Sequence, residues 1–452
     1  MARASALRRS RPSAARGVYF SVGAFVFLLV LGMVGGSIWF GAYLKSESFR
    51  ALLAGEAGRA LNSRADLAPL RWSGPSAFAE SLQLEGKEGN VLEKLTASQV
   101  RANVNWRAVI SGAWRVEDIT VTELEVDWQR PAEKASESTE PLPPPLPAAF
   151  GFLPKRFELG RLTVASSNMR FGDAGIFGTA LEVRPDATGW LVSGRGGRFL
   201  RTGIPPLGIT DFQARVQGKE IFLTGGDLRL GANGRIAVTG ELSDVAKLQV
   251  SWEGVASEDV FRGALAKHLV GTLSGTAVVT PPGNVEGTVH LKDGRLEGVP
   301  LLSTIGDFTR NPAFRRMPLQ EVTCRFSHGP GAWQITDFTA ESKGLLRVEG
   351  QARIGDDRTL QGTLQVGVTT QTLQWIPGSR ERVFTEARGG YLWTDVVLGG
   401  SLDHPTENLS ARLLTAMGGA VMEQGSELIR QTPEKAAEGV KSVLDILRPL
   451  IP

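Results

Sequence analysis

Cysteine is almost absent. Cys324 is the only one in 452 residues, so no intramolecular disulfide can staple the fold. It alternates with Val322 and Phe326, which makes it a small apolar core residue rather than a reactive thiol. Histidine and tyrosine are scarce, at four and three residues, few for an enzyme of this length. His268, His290, His328 and His404 are scattered, and none has a second His or a Cys at metal-ligand spacing. The chain contains no G-x-S-x-G elbow and no P-loop. Neither sign of charge dominates, and a net charge of +3 gives no case for nucleic acid. No catalytic set, metal or cofactor is expected, and the sequence argues against an enzyme.

What is abundant is glycine, with 54 residues against a usual share of about 7%. With 42% hydrophobic and 21% charged residues most of the chain should fold, and its length allows two or three domains. The 28 residues 17–44 carry no charge. As a helix they would reach roughly 40 Å, ample for a hydrocarbon core of about 30 Å. Phe20, Phe25, Leu28, Leu29 and Leu31 fill this run, and Trp39 sits where an interfacial aromatic belt would be. The run is too long for the core of a signal peptide, and no cleavage site follows cleanly. Arg8, Arg9, Arg11 and Arg16 lie in a basic arm, 1–16, with no acidic residue. The positive-inside rule puts that arm in the cytoplasm and everything after Lys45 outside it. A single-pass anchor with a large exported body is expected.

Directly after the anchor, Phe49, Leu52, Leu53, Ala57, Ala60 and Leu61 share a helical face, and Asn62-Ser63 ends the helix. Strands follow to residue 130, with a slip of phase between Val121 and Leu124 that suggests a bulge or a turn. Residues 131–149 are Pro-rich and read as a solvated loop. From 150 to 280 and again from 281 to 405 apolar residues alternate, with turn signals roughly every ten residues. That is the pattern of an antiparallel meander with one apolar face. Within it, Asp293-Gly294 reads as a tight turn, and Leu301, Leu302, Ile305 and Phe308 fall at helical spacing. The end, 406–452, is expected to be amphipathic helices: Leu409 and Leu413 begin one, and Thr432-Pro433 caps another.

Helices able to cover so long an apolar face are nearly absent from the pattern. Either a second sheet closes over it, or the sheet is open and curled, its concave side filled by acyl chains. The pattern alone favours the closed arrangement. The side chains that would line an open groove are Val289, Leu291, Leu296, Val322, Phe326, Ile335, Leu346, Val348, Leu364 and Val366, whereas His290 and Lys292 point the other way.

The order of parts resembles the AsmA-like family of inner-membrane-anchored proteins. The anchor followed by SFRALLAGEAGRAL and DLAPLRWSGPSAFAESLQLEG is similar to that family's chorein-like N-terminal module, placed here at 45–130. VEGTVHLKDGRLEGVPLLSTIGDF and LQEVTCRFSHGPGAWQITDFTAESKGLLRVEGQARIG resemble its C-terminal domain, and Gly400, Leu402 and Pro405 its closing G-x-L-x-x-P strand. The resemblance implies a mainly β periplasmic body: an elongated antiparallel sheet curled into an open groove that holds or conducts phospholipid and supports outer-membrane assembly. It also leaves the C-terminal helices to plug the groove's far end or to contact a periplasmic or outer-membrane partner. The rival reading is a membrane-tethered scaffold for outer-membrane assembly with a closed, dry core.

Overall fold

The computed structural model describes residues 42–87, 90, 92–105, 113–128, 156–218, 220–242, 247–261, 267–281, 283–298, 312–374, 378–402, 405–413 and 415–416. The basic arm, the anchor up to residue 41, the Pro-rich stretch 131–149, the piece 301–308 and everything after 416 lie outside the described residues. So, therefore, do Arg8, Arg9, Arg11, Arg16, Phe20, Phe25, Leu28, Leu29, Leu31 and Trp39. Among the described residues no helix is long and apolar enough to cross a membrane. What is described is mainly β, and it divides into two compact units at Pro185–Asp186, inside the strand-rich stretch 150–280.

The first unit opens with helix α1 (Glu47–Ala60). Ser46 caps it by accepting from the Phe49 N–H at 3.3 Å, and Asn62, at φ 46°, ends it in the left-handed region. Phe49 is the buried residue of its apolar face, packed with Leu44, Val104 and Trp72, whose indole donates to the Leu44 carbonyl at 3.0 Å. Leu61, expected on that face, is 45% exposed because the helix has already ended.

Strands β1 (Ser63–Leu67), β2 (Arg71–Ser73), β3 (Ser76–Gly86), β4 (Leu92–Val104) and β5 (Ala113–Trp128) pair antiparallel. The next two, β6 (Arg156–Leu159) and β7 (Leu162–Phe171), run parallel to β5, before β8 (Ala174–Asp186) turns back on β7. The expected meander is thus broken once. A parallel pair needs a return connection of a dozen residues or more. The 27 residues between Trp128 and Arg156, which include the Pro-rich stretch, supply it.

The second unit comprises β9 (Gly189–Arg195), β10 (Arg198–Arg201), β11 (Ile204–Gln217), β12 (Glu220–Leu230), β13 (Gly234–Glu241), β14 (Lys247–Ala256), helix α2 (Ser257–Val260), β15 (Leu269–Thr280) and β16 (Asn284–Glu297). It continues with β17 (Arg316–Leu319), β18 (Glu321–Gly329), β19 (Ala332–Ser342), β20 (Leu346–Gly355), β21 (Leu360–Thr369), helices α3 (Thr370–Leu373) and α4 (Ser379–Arg382), β22 (Glu386–Arg388), β23 (Tyr391–Gly400) and β24 (Pro405–Glu407). Among its described strands the pairings are antiparallel and join chain neighbours or strands that flank one short strand. From β9 to β23 this run is twelve strands wide, roughly 53 Å at about 4.8 Å per step.

Bulges set which side chains face inward. Asp293-Gly294 is not a hairpin turn, as its residue types suggested, because β16 runs through it. Thr272 pairs with Lys292 and Val270 with Arg295, so β16 holds one extra residue there, with Asp293 at φ 52°. Leu291 and Leu296 are an odd number of residues apart and would otherwise face opposite sides; the extra residue restores both to one face. A second bulge at Asp337 (φ 49°) does the same for Ile335 and Phe338 on β19. Two glycines let rings lie flat across the sheet. A Cβ on Gly275 would run into the Trp252 ring, and one on Gly287 would come within 2.7 Å of the Phe326 ring.

The outer side of β23 is capped rather than free. Between its short partners β22 and β24, the Val397 N–H donates to Asn408 Oδ1 at 3.0 Å. Arg412 donates to the Asp395 carbonyl at 2.6 Å and to Thr394 Oγ1 at 2.8 Å.

Candidate functional site

The inner face of the second unit carries a row of buried aliphatics across successive strands: Leu207, Leu230, Val255, Leu273, Leu291 and Leu319. Beside this row opens a cavity of about 560 Å³. Strand β16 contributes Val289, Leu291 and Leu296 to it, β18 contributes Val322, Cys324 and Phe326, and β19 contributes Trp333, Ile335 and Phe338. Leu346 and Val348 of β20 complete the side opposite β16. Eight positions picked from alternation alone therefore stand around one space. His290 and Lys292, between them in sequence, are exposed on the other face.

The last two candidates stand elsewhere. Leu364 and Val366 belong to a neighbouring cluster with Val368, Leu373, Val383, Phe384, Val396 and Ala416. Here α3, α4 and the segment around Leu409 and Leu413 cover the sheet, and Leu346 and Val348 touch this cluster as well as the cavity. Sequence reasoning expected a helix beginning at Leu409 and Leu413 but missed α3 and α4, because helices of four residues are too short to show a period. It also missed Leu269, Leu273, Leu319, Phe338 and Ser342 in the lining. Phe338 was detectable in principle, since its odd spacing from Ile335 brackets an Asp, a residue tolerant of positive φ.

Nearly all of the wall is hydrocarbon or ring. Among the described residues, Thr323, Cys324, Ser342 and the Trp333 indole are its only side chains carrying a heteroatom, and no charged residue lines it. Burial pushes the Cys324 thiol above its ordinary pKa. Apart from Leu291 and Ser342, which are buried, and Trp333, which is exposed, the wall residues of β16, β18, β19 and β20 are mostly buried and keep a fraction of their surface open. Full burial of such aliphatics is worth about 1.5–3 kcal/mol each, so covering what is still open would stabilise the wall by on the order of 0.5 kcal/mol per side chain. An apolar surface of this extent, concave and partly open, makes this cavity the candidate binding site.

At one end the cavity is edged by rings. Phe326 lies 6.4 Å from Trp252 and 6.1 Å from Trp333, which is 39% exposed and 4.5 Å from His328. The opposite face of β19–β23 is polar. Tyr391 donates to Glu341 at 2.9 Å, Arg347 bridges Glu341 and Glu349, and Arg388 reaches Glu349 while lying 4.3 Å over Trp393. Burial first, then the Glu341 carboxylate, raises the Tyr391 pKa. Among the described residues no group of three or more His, Cys, Asp or Glu is arranged to hold a metal ion. No family model, no curated protein and no solved structure matches this chain.

Proposed function

We propose that this chain is a membrane-anchored periplasmic protein of the AsmA-like type that holds or conducts phospholipid along an apolar β-groove, in support of outer-membrane lipid homeostasis and assembly. The observation that carries the reading is the cavity between β16 and β20. It is apolar, within the roughly 300–1,000 Å³ of small-molecule sites, and partly open along its wall. The bulges at Asp293 and Asp337 add curvature that a flat sheet lacks, which suits a groove curled around acyl chains. The anchor and the basic arm, read from sequence, support a periplasmic body tethered to a bilayer.

The physics of such a groove favours passage over storage. Moving an acyl chain from water into it gains about 0.8 kcal/mol per methylene, but a bilayer offers the same. Exchange between membrane and groove is therefore close to neutral, while escape into water is costly. A chain can advance along the strands without falling into a deep well.

Photo-crosslinking tests this. Crosslinkers at Val289, Val322, Ile335 and Val348 should capture phospholipid in cells, and those at His290 and Lys292 should not. Equal capture on both faces, or none on either, refutes the groove. The second reading, a tethered scaffold with a dry core, draws on the covered cluster around Val366 and Val396, where the chain itself closes the apolar face. Recovery of the intact protein free of lipid would favour that reading.

A further inference from the structure

Ser342 is out of place in the cavity wall. It is 1% exposed, it lines the cavity, and its Oγ has no hydrogen-bond partner among the described residues. The backbone around it is in order: its carbonyl accepts from the Leu345 N–H at 3.0 Å, and it stands opposite Leu346 in the β19–β20 register. The hydroxyl is therefore the only orphan at this point. A buried hydroxyl without a partner destabilises the protein, and alanine would fill the same space without that penalty.

We infer that an occupant draws Ser342 into the side-chain rotamer that faces the cavity, where its Oγ–H, covered as it stands, donates to a carbonyl oxygen, so that the cavity selects an acyl compound over a plain hydrocarbon. This rests on the reading that the cavity takes an alkyl chain. The rest of the wall narrows the chemistry of the polar group. With no charged side chain among the described residues of the lining, a phosphate or ammonium group buried against them would be uncompensated. A neutral carbonyl needs one donor, and one donor is present. Position supplies the orientation. Ser342 is the last residue of β19, and Trp333 stands nine residues earlier, roughly 30 Å away along an extended strand. The carbonyl is thus held at the Ser342–Leu346 end, with the tail directed toward Phe326 and Trp333. An ester of a glycerolipid and the protonated, neutral acid group of a free fatty acid share this chemistry.

The test uses the full chain in nanodiscs and three probes of equal chain length with a diazirine at the tail: an alkane, an acyl methyl ester and the free acid. Labelling is titrated and mapped by mass spectrometry. The wild type should reach half-saturation with a carbonyl probe at a five- to tenfold lower concentration than with the alkane, with tail crosslinks at Phe326 and Ile335. Ester ahead of acid identifies an esterified lipid as the source, and acid ahead of ester a free fatty acid. Ser342→Ala should abolish the preference and leave alkane labelling and the Tm unchanged or slightly higher. A preference that survives Ser342→Ala, an equal loss for all probes, or a fall in Tm overturns the inference. If the alkane labels the cavity and the wild type shows no preference, only this inference falls. If no probe labels it, the lipid-holding reading falls as well.

Discussion

A carboxylate placed at Val348 distinguishes a filled, open groove from a dry core. Val348 is half-buried, stands between Ala340 and Val366 in the strand register, and touches both the cavity and the covered cluster beside it. Val348→Asp removes apolar contact worth about 1 kcal/mol. It also puts an ionisable group on a wall that holds no cation. Desolvation raises that group's folded pKa above its unfolded value of about 3.9, and every tenfold change in its ionisation equilibrium corresponds to about 1.4 kcal/mol. The sign follows from the raised value. Well below about pH 4 the group is protonated in both states and the electrostatic cost is absent; the cost grows as pH rises through the folded pKa and is complete above it. If a water-filled slit holds the folded pKa to about 6, the variant loses about 1.5 kcal/mol at pH 4 and about 4 kcal/mol at pH 8. A domain with an ordinary stability of about 5–15 kcal/mol survives that. In a dry core the penalty runs higher and the variant unfolds at pH 8. Thermal melting at the two pH values, together with lipid crosslinking from Ile335, reads the outcome. A variant that is folded, pH-sensitive and lipid-free supports the groove. Wild-type melting and capture at both pH values refutes the placement of Val348.

Three further outcomes are expected. Burial holds the Cys324 thiol protonated, so iodoacetamide should modify it well below the rate of a free thiol at pH 8, and denaturant should restore that rate; a native rate equal to that of free cysteine contradicts the burial. Gly275→Ala drives a methyl group into the Trp252 ring and the Thr288 carbonyl, and should lower stability by about 1–3 kcal/mol in chemical denaturation, whereas the same change at Gly283, where a Cβ meets nothing, forces only a backbone adjustment. A reporter that matures only in the periplasm, fused after Pro452, should be active; activity of a cytoplasm-only reporter would overturn the topology.

Much of the candidate site was legible because pleating imposes a period of two on side chains, whatever the partner strands are. Val289, Leu291, Val322 and Phe326 declare their face by alternation and needed no knowledge of pairing. The bulge at Asp293 was harder. Asp-Gly suits a hairpin turn and a bulge equally well, and only the register with Val270 and Thr272 decides between them. The parallel pairing of β5 with β7 was not legible at all, since it depends on where a long connection returns the chain and not on the strands' own residues. The cover over Val366 was hidden for a different reason. Its apolar residues Leu373, Val383 and Phe384 come from pieces too short for a period and are buried by tertiary contact alone.

The capped edge at β23 fixes how this protein can meet a neighbour. An uncapped strand would let another chain extend the sheet by backbone pairing, regardless of sequence. Here the Asn408 amide and the Arg412 guanidinium already occupy the Val397 N–H and the Asp395 carbonyl. Growth of the ladder stops at this border, and recognition there must pass through side chains. Whatever docks on that border is chosen by its surface chemistry, and a stray β-strand released by a misfolded protein finds no template between β22 and β24.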